Sequence, residues 1–150
     1  LVDSVRVELT DLIHELRPPL MNGANFNETL NEYLIEWAHQ TGIGATFTVE
    51  GYVDLSLEIK QAIYRIMQEA LANVARHSSA ENVQVALLYQ DHSVEFSVID
   101  DGVGFDPQQQ NDGMGLDSMR ERTEGLGGEF SIESEAGQGT KINVTIQIEK

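Results

Sequence analysis

One segment, VIDDGVGFDPQQQNDGMG at Val98–Gly115, constrains this chain most, because it places a carboxylate where a core side chain is expected. The strand that leads into it alternates between apolar and polar side chains: Val94, Glu95, Phe96, Ser97 and Val98. That alternation puts Asp100 on the apolar face of the strand. Because burial of an unpaired carboxylate is costly, the sequence predicts that Asp100 faces a bound partner.

Hydrophobic periodicity divides the chain into helices and strands. The predicted helices are Leu1–Leu16, Phe26–Thr41, Leu57–His77 and Leu116–Leu126. The predicted strands are Ala45–Val49, Val83–Tyr89, Val94–Ile99, Glu129–Glu133 and Lys141–Ile148. Their order predicts an α+β fold, in which a mixed, mostly antiparallel sheet of about five strands carries three helices on one face. The first helix leads into this unit.

Charge and composition disfavour several classes of partner. The 150 residues suit one ordinary domain, and the net charge of −16 disfavours nucleic acid and anionic lipid as ligands. The chain has no cysteine, which excludes disulfides and thiolate zinc sites, and no apolar run approaches the length of a membrane span. An anionic ligand must therefore bring a cation or bind to backbone N–H groups.

The long predicted helix carries two oxygen-bearing side chains beside its apolar stripe. Asn73 falls just inside the edge of that stripe, and Glu69 lies one turn earlier on the same flank. Oxygen ligands next to an anionic ligand are typical of Mg²⁺, which keeps several waters and takes few protein ligands. This helix therefore offers a candidate metal ligand and a candidate general base.

The glycine-rich segment supplies the rest of a nucleotide site. An ionised Asp100 only accepts hydrogen bonds, and the exocyclic amine of adenine is a neutral donor that fits an apolar pocket. Gly102 and Gly104 allow the main chain to lie close to a flat ring. Gly113 and Gly115 precede a helix whose first N–H groups favour phosphate. Together with the two side chains of the long helix, these residues predict a Mg²⁺–ATP pocket.

Four segments carry a family resemblance: QEALANVARH (Gln68–His77), DDGVGF (Asp100–Phe105), GMGL (Gly113–Leu116) and GQGT (Gly137–Thr140). They resemble, in order, the nucleotide-binding boxes of the GHKL ATPases, which include gyrase B, Hsp90 chaperones, sensor histidine kinases and MutL. The sequence of Gly113–Gly128 is similar to the corresponding segment of the nitrate-sensor-type histidine kinases. These kinases work with response regulators that carry LuxR-type helix-turn-helix outputs. The resemblance implies the Bergerat fold, a two-layer α/β sandwich with ATP under a flexible lid.

The same resemblance implies a role for each matching side chain. Asn73 corresponds to the Mg²⁺ ligand, and Glu69 to the acidic residue that polarises the attacking nucleophile or orients a water. Asp100 corresponds to the aspartate that binds adenine, and Thr140 to the hydroxyl that completes this contact, often through water. These implied roles agree with the chemistry expected from the residues themselves.

The resemblance also implies contacts to the base and the phosphates. The residues that would line them are Gly102, Gly104, Gly113, Gly115 and Leu116. Arg76 and His77 stand where the subfamily often has a basic residue followed by a histidine near the phosphates; for His77 a helix-end cap is an equal alternative. The short segment Phe105–Asp112 between the glycine boxes corresponds to the lid.

The resemblance divides the chain into two parts. Residues 1–23 correspond to the end of the second helix of a dimerisation domain with its linker, and residues 24–150 to the ATP-binding catalytic domain. HELRPPL, from His14 to Leu20, resembles the phosphoacceptor box HELRTPL of other histidine kinases. The spacing leaves no room for a second hairpin helix before the ATP-binding domain. We therefore expect the acceptor histidine to lie upstream of Leu1, so that this fragment lacks it.

The expected function is that of the Mg²⁺–ATP-binding catalytic domain of a two-component sensor histidine kinase. It would transfer the γ-phosphate of ATP to a histidine on the dimerisation domain, with the LuxR-type response regulator as an indirect partner. A serine kinase of the anti-sigma-factor type and a non-enzymatic ATP-gated module are the alternatives. The opening amphipathic helix favours the histidine kinase over the serine kinase. The presence of Glu69 and Asn73 argues against the non-enzymatic module. The domain is expected to be cytoplasmic, without membrane contact of its own.

Overall fold

The computed structural model of the chain describes residues 25–106 and 115–148. In chain order the elements are α1 (Phe26–Thr41), β1 (Gly44–Glu50), α2 (Leu57–Asn73), a π-helical turn (Val74–Ser78), β2 (Asn82–Tyr89), β3 (Ser93–Asp100), α3 (Leu116–Glu124), β4 (Glu129–Ser134) and β5 (Thr140–Gln147). Apart from the end of α2, all of them match the predicted boundaries within two residues. The predicted helix Leu1–Leu16 and linker, and most of the predicted lid, lie outside the described residues.

The five strands form one sheet in the order β1-β2-β3-β5-β4. β1 and β2 pair in parallel, while the other three pairs are antiparallel. The sheet is therefore mixed and mostly antiparallel, as predicted. Its register aligns Asp100 of β3 with Thr140 of β5, and Thr140 with Ser134 of β4. One row of side chains thus crosses three neighbouring strands at one end of the sheet.

Alternation in the central strands directs one face of the sheet into the core. The buried side chains on that face include Val83, Val85, Leu87, Val94, Phe96, Val98, Ile142, Val144 and Ile146. The helices cover this face with their own buried residues, among them Leu30, Leu34, Trp37, Ile63, Ile66, Met67 and Met119. In the part of the chain that the structure describes, no helix has both the length and the apolar character needed to cross a membrane.

The long helix extends to Ser78, one residue past the predicted His77, but its last turn is not α-helical. The α-helix ends at Asn73 and continues as the π-helical turn. The hydroxyl of Ser78 donates to the carbonyl oxygen of Val74 at 2.8 Å, and the carbonyl oxygen of Ser78 accepts from the N–H of Val103 at 2.7 Å. The turn is thereby fastened to the segment after β3. Hydrophobic periodicity does not register such a wider turn, which is frequent at functional sites.

Candidate functional site

A cavity of about 320 Å³ opens between α2 with its π-helical turn, the ends of β3 and β5, and the start of α3. Its apolar lining consists of Ala70, Val74, Val98, Phe105, Leu116, Ile132 and Ile142. Its polar lining consists of Asn73, His77, Ser78, Asp100 and Thr140. A mostly apolar cavity with a few placed polar groups is typical of a site for a flat heteroaromatic ligand.

The floor of the cavity is a row of apolar side chains across three strands. Val98 of β3 pairs with Ile142 of β5, which pairs with Ile132 of β4. The next row toward the end of the sheet contains Asp100 and Thr140, which also line the cavity. The alternation of the strands therefore places the Asp100 carboxylate directly beside the apolar side chains that form the floor of the cavity.

Asp100 is buried, with 7% of its surface exposed, as the sequence predicted. Burial raises the pKa of its carboxyl above the ordinary value, and the charge of Asp101 adds to this. The N–H groups of Gly102 and Thr140 offset part of the rise in pKa, and the first of them donates to Oδ1 of Asp100 at 2.8 Å. An ionised Asp100 is thus held in place by backbone donors and remains costly to charge until a ligand donor reaches it.

Asp101 makes its contacts within the protein instead. Its Oδ1 accepts from the backbone N–H groups of Glu81 and Asn82, both at 2.9 Å, and its Oδ2 accepts from Nδ2 of Asn82 at 3.1 Å. These hydrogen bonds, that of the Asn82 backbone foremost, lower the pKa of the Asp101 carboxyl. The Asp101 carboxylate therefore anchors the start of β2, whereas the Asp100 carboxylate faces the cavity.

Thr140 belongs to a hydrogen-bond network that the sequence reasoning missed. Its Oγ1 lies 2.8 Å from the hydroxyl oxygen of Ser134. The Ser134 oxygen also accepts from the N–H of Phe105 at 2.8 Å and contacts the carbonyl oxygen of Gly139 at 3.1 Å. The short turn between β4 and β5 brings Ser134 to Gly139 and Thr140, whereas its contact with Phe105 joins residues 29 positions apart.

The glycines after β3 pack closely against the protein's own backbone. A Cβ on Gly102 would overlap the carbonyl oxygen of Ser78, and a Cβ on Gly104 would overlap that of Glu135. Gly104 also has a positive φ of 66°. Their lack of side chains therefore lets protein backbones pack together, and only Gly104 of the two lines the cavity. Gly113 lies outside the described residues.

Of the remaining predicted residues, three line the cavity, while Glu69, Gly115 and Arg76 are not among its described lining residues. Asn73 is buried at 8% exposure and lines the cavity, as do His77 and Leu116. Glu69 is half-buried, and its Oε2 would lie 2.5 Å from a Cβ on Gly115, the residue that precedes α3. The structure therefore brings the glutamate of α2 to the N-terminal end of α3.

Arg76, in contrast, is exposed and is not among the described residues that line the cavity. In residues 25–106 and 115–148, no group of three or more histidine, aspartate or glutamate side chains could hold a metal ion by itself.

The comparison with protein families identifies the chain. Residues 58–150 match the family described as histidine kinase-, DNA gyrase B-, and HSP90-like ATPase. Because this match spans more than half of the sequence, the chain belongs to that ATPase family. The predicted resemblance to the GHKL ATPases is thereby confirmed, and the family implies that the chain binds ATP.

Particular relatives narrow the comparison. The chain is 35% identical over 142 residues to the sensor histidine kinase LiaS of Bacillus subtilis (strain 168). The aligned region covers 94% of this chain and 39% of LiaS. It is 30% identical over 139 residues to the sensor histidine kinase ComP of the same organism, covering 90% of this chain and 18% of ComP. The chain thus spans well under half the length of these curated relatives.

Solved structures confirm the fold class. The histidine kinase domain of the Erythrobacter litoralis EL346 blue-light activated histidine kinase superposes with a TM-score of 0.67 at 24% identity, covering 82% of this chain and 61% of that one. The catalytic domain of the histidine kinase ThkA superposes with a TM-score of 0.60 at 17% identity, covering 81% and 90%. At these identities the likeness concerns the fold.

Proposed function

We propose that this chain is the Mg²⁺–ATP-binding catalytic domain of a two-component sensor histidine kinase. It transfers the γ-phosphate of ATP to a histidine on a dimerisation domain. The observation that carries the proposal is the buried Asp100, an acceptor held at the end of an apolar cavity in a chain of the ATPase family. Two sensor histidine kinases match this chain, LiaS over 94% and ComP over 90% of its length. These matches support a histidine kinase over the serine kinase and the gating module.

The base of ATP binds in the apolar part of the cavity. Asp100 accepts a hydrogen bond from the exocyclic amine of adenine, while the row Val98–Ile142–Ile132 forms a flat apolar surface for the ring. The ring replaces water on that surface, and Asp100 gains the donor that its burial requires. Thr140 supplies a second oxygen beside the first.

The phosphates point to the N-terminal end of α3. The first N–H groups of a helix have no partner within the helix and favour anions, and Leu116 is the first residue of α3. Gly115 immediately precedes these N–H groups, and the family resemblance implies that Gly113 also lies near the phosphates. His77 lines the cavity and adds a donor. Arg76 acts here as a nearby positive charge rather than as a lining residue.

A carboxylate at this end requires a cation. Glu69 lies against Gly115, so bound phosphates would meet its negative charge, and the chain as a whole carries a net charge of −16. Asn73 fits Mg²⁺ because its amide lines the cavity one helical turn after Glu69. When bound, Mg²⁺ neutralises charge on the phosphates. Glu69 then orients the attacking nucleophile or a water.

The partners follow from the same proposal. The phosphoacceptor is a dimerisation domain of the same protein, which residues 1–23 would join to the catalytic domain at residues 24–150. The similarity of the sequence Gly113–Gly128 to nitrate-sensor-type kinases supports a response regulator with a LuxR-type output as the indirect partner. Segment Phe105–Asp112 would act as the lid over bound ATP.

The test uses the full-length protein that carries this chain, incubated with γ-labelled ATP and Mg²⁺. We expect an acid-labile phosphate on a histidine, and its loss in Asn73→Ala. Acid-stable phosphoserine on a partner protein would instead support the serine kinase. Binding of ATP without any transfer would support the gating module, and transfer at the wild-type rate in Asn73→Ala would contradict the role of Asn73.

A further inference from the structure

The hydroxyl of Ser134 occupies a position from which it controls the base end of the cavity. Ser134 is the last residue of β4 and pairs with Thr140 of β5, which in turn pairs with Asp100 of β3. We infer that Ser134 is a positioning residue that fixes the hydrogen-bond polarity of Thr140, and that it thereby selects a purine with an amine at position 6 over one with a carbonyl. This inference rests on the proposed binding of ATP in this cavity.

The polarity follows from counting hydrogens. A serine hydroxyl carries one hydrogen and two lone pairs. The carbonyl oxygen of Gly139, 3.1 Å away, can only accept, so Ser134 donates its one hydrogen there. The N–H of Phe105 donates to one lone pair of Ser134 at 2.8 Å. With the Ser134 hydrogen assigned to Gly139, Thr140 is assigned as the donor in its contact of 2.8 Å with Ser134.

Thr140 is consequently left without a hydrogen for the cavity. Its single hydroxyl hydrogen points to Ser134, so Oγ1 offers only lone pairs to a ligand. An ionised Asp100, with Oδ1 already accepting from Gly102, also offers only lone pairs. The base end of the cavity therefore presents acceptors alone, which matches an exocyclic amine and opposes a carbonyl oxygen.

Loss of the Ser134 hydroxyl would reverse part of this preference. In Ser134→Ala the hydrogen of Thr140 has no partner on β4, so it can rotate and donate to a carbonyl at position 6. The N–H of Phe105 and the carbonyl of Gly139 also lose a partner, which weakens the binding of every nucleotide alike. The ratio of two affinities separates the change in polarity from this general loosening.

The experiment measures the dissociation constants of ATP and ITP for the 150-residue chain by calorimetric titration with Mg²⁺. ITP differs from ATP in the carbonyl at position 6 and in a proton on N1, which the acceptors of the site can bind; 6-O-methyl-ITP, which has an oxygen at position 6 and no proton on N1, is therefore titrated beside it and gives the preference used below. We expect the preference for ATP to fall about 3- to 10-fold in Ser134→Ala, the factor that one neutral hydrogen bond supplies. Ser131→Ala, an exposed serine on the same strand, should keep the wild-type preference. Ser134→Thr, which retains the hydroxyl, should keep it as well.

A double-mutant cycle assigns the effect to Thr140. In Thr140→Val no hydroxyl remains to reverse, so adding Ser134→Ala should leave the ratio of affinities unchanged. An unchanged ratio in Ser134→Ala, or an equal change with and without the Thr140 hydroxyl, would overturn the inference while leaving the proposed function intact. A wild-type chain that binds ATP no better than 6-O-methyl-ITP would also overturn it. A wild-type chain that binds no ATP would overturn the proposed function itself.

Discussion

Replacement of Asp100 by asparagine tests the binding site with the smallest change of shape. Oδ1 of Asp100 accepts from the N–H of Gly102 at 2.8 Å, so an asparagine keeps this bond only if its amide oxygen takes that position. The NH₂ group then occupies the place of the second carboxylate oxygen. A donor would thus face the amine of adenine, which is itself a donor.

The expected loss can be worked from the bond that disappears. A hydrogen bond to a charged group is worth about 1.5–3 kcal/mol, so the affinity for ATP should fall roughly 10- to 150-fold in Asp100→Asn. The raised pKa of Asp100 means that its charge is less favourable in the folded than in the unfolded chain. Removing that charge should therefore leave the free energy of unfolding unchanged or higher, which separates lost binding from lost folding.

The assay is calorimetric titration with a non-hydrolysable ATP analogue, with Asp101→Asn as the matched control. That variant removes the same charge one residue further on, but the Asp101 carboxylate is bonded to Glu81 and Asn82 rather than facing the cavity. It should lose stability and keep its affinity for ATP. Unchanged affinity in Asp100→Asn, or an equal loss in both variants, would refute the placement of the base.

Three further outcomes are expected. Gly102→Ala should lower the free energy of unfolding by about 1–3 kcal/mol, because its Cβ would overlap the carbonyl oxygen of Ser78; an unchanged urea midpoint would contradict this packing. The pKa of Asp101 is lowered in the folded chain, so its stabilisation is present above a pH of about 4 and is lost as the pH falls through the folded-state pKa. Urea unfolding from neutral to acid pH should therefore show the wild type losing its advantage over Asp101→Asn. Incubation of the 150-residue chain with γ-labelled ATP and Mg²⁺ should leave no acid-labile phosphate on it, whereas label that vanishes in His14→Gln would identify His14 as the acceptor.

The strands could be predicted from the sequence because alternation is a local property. The burial of Asp100 followed from the side chains two and four residues before it, and the structure confirms it. The long helix ends at Ser78, one residue past the predicted His77, but its last turn is π-helical, which the periodicity did not indicate; there the carbonyl of Ser78 accepts from the distant Val103. The contact of Ser134 with the N–H of Phe105 likewise joins residues 29 positions apart. Features fixed by one segment were thus predictable, and features fixed by the meeting of two segments were not.

Those meetings hold the base end of the proposed site together. Val103 lies at the centre of three segments, since its N–H donates to the carbonyl of Ser78 at 2.7 Å and its carbonyl accepts from the N–H of Gly137 at 2.5 Å. The π-helical turn, the end of β3 and the turn before β5 are therefore held together by backbone bonds. Because backbone donors hold Asp100 and Ser134 holds Thr140, neither side chain has to be ordered when a base arrives. Little conformational entropy of these two side chains is then lost when the base binds. The affinity for the base therefore depends directly on the hydrogen-bond polarity of Asp100 and Thr140.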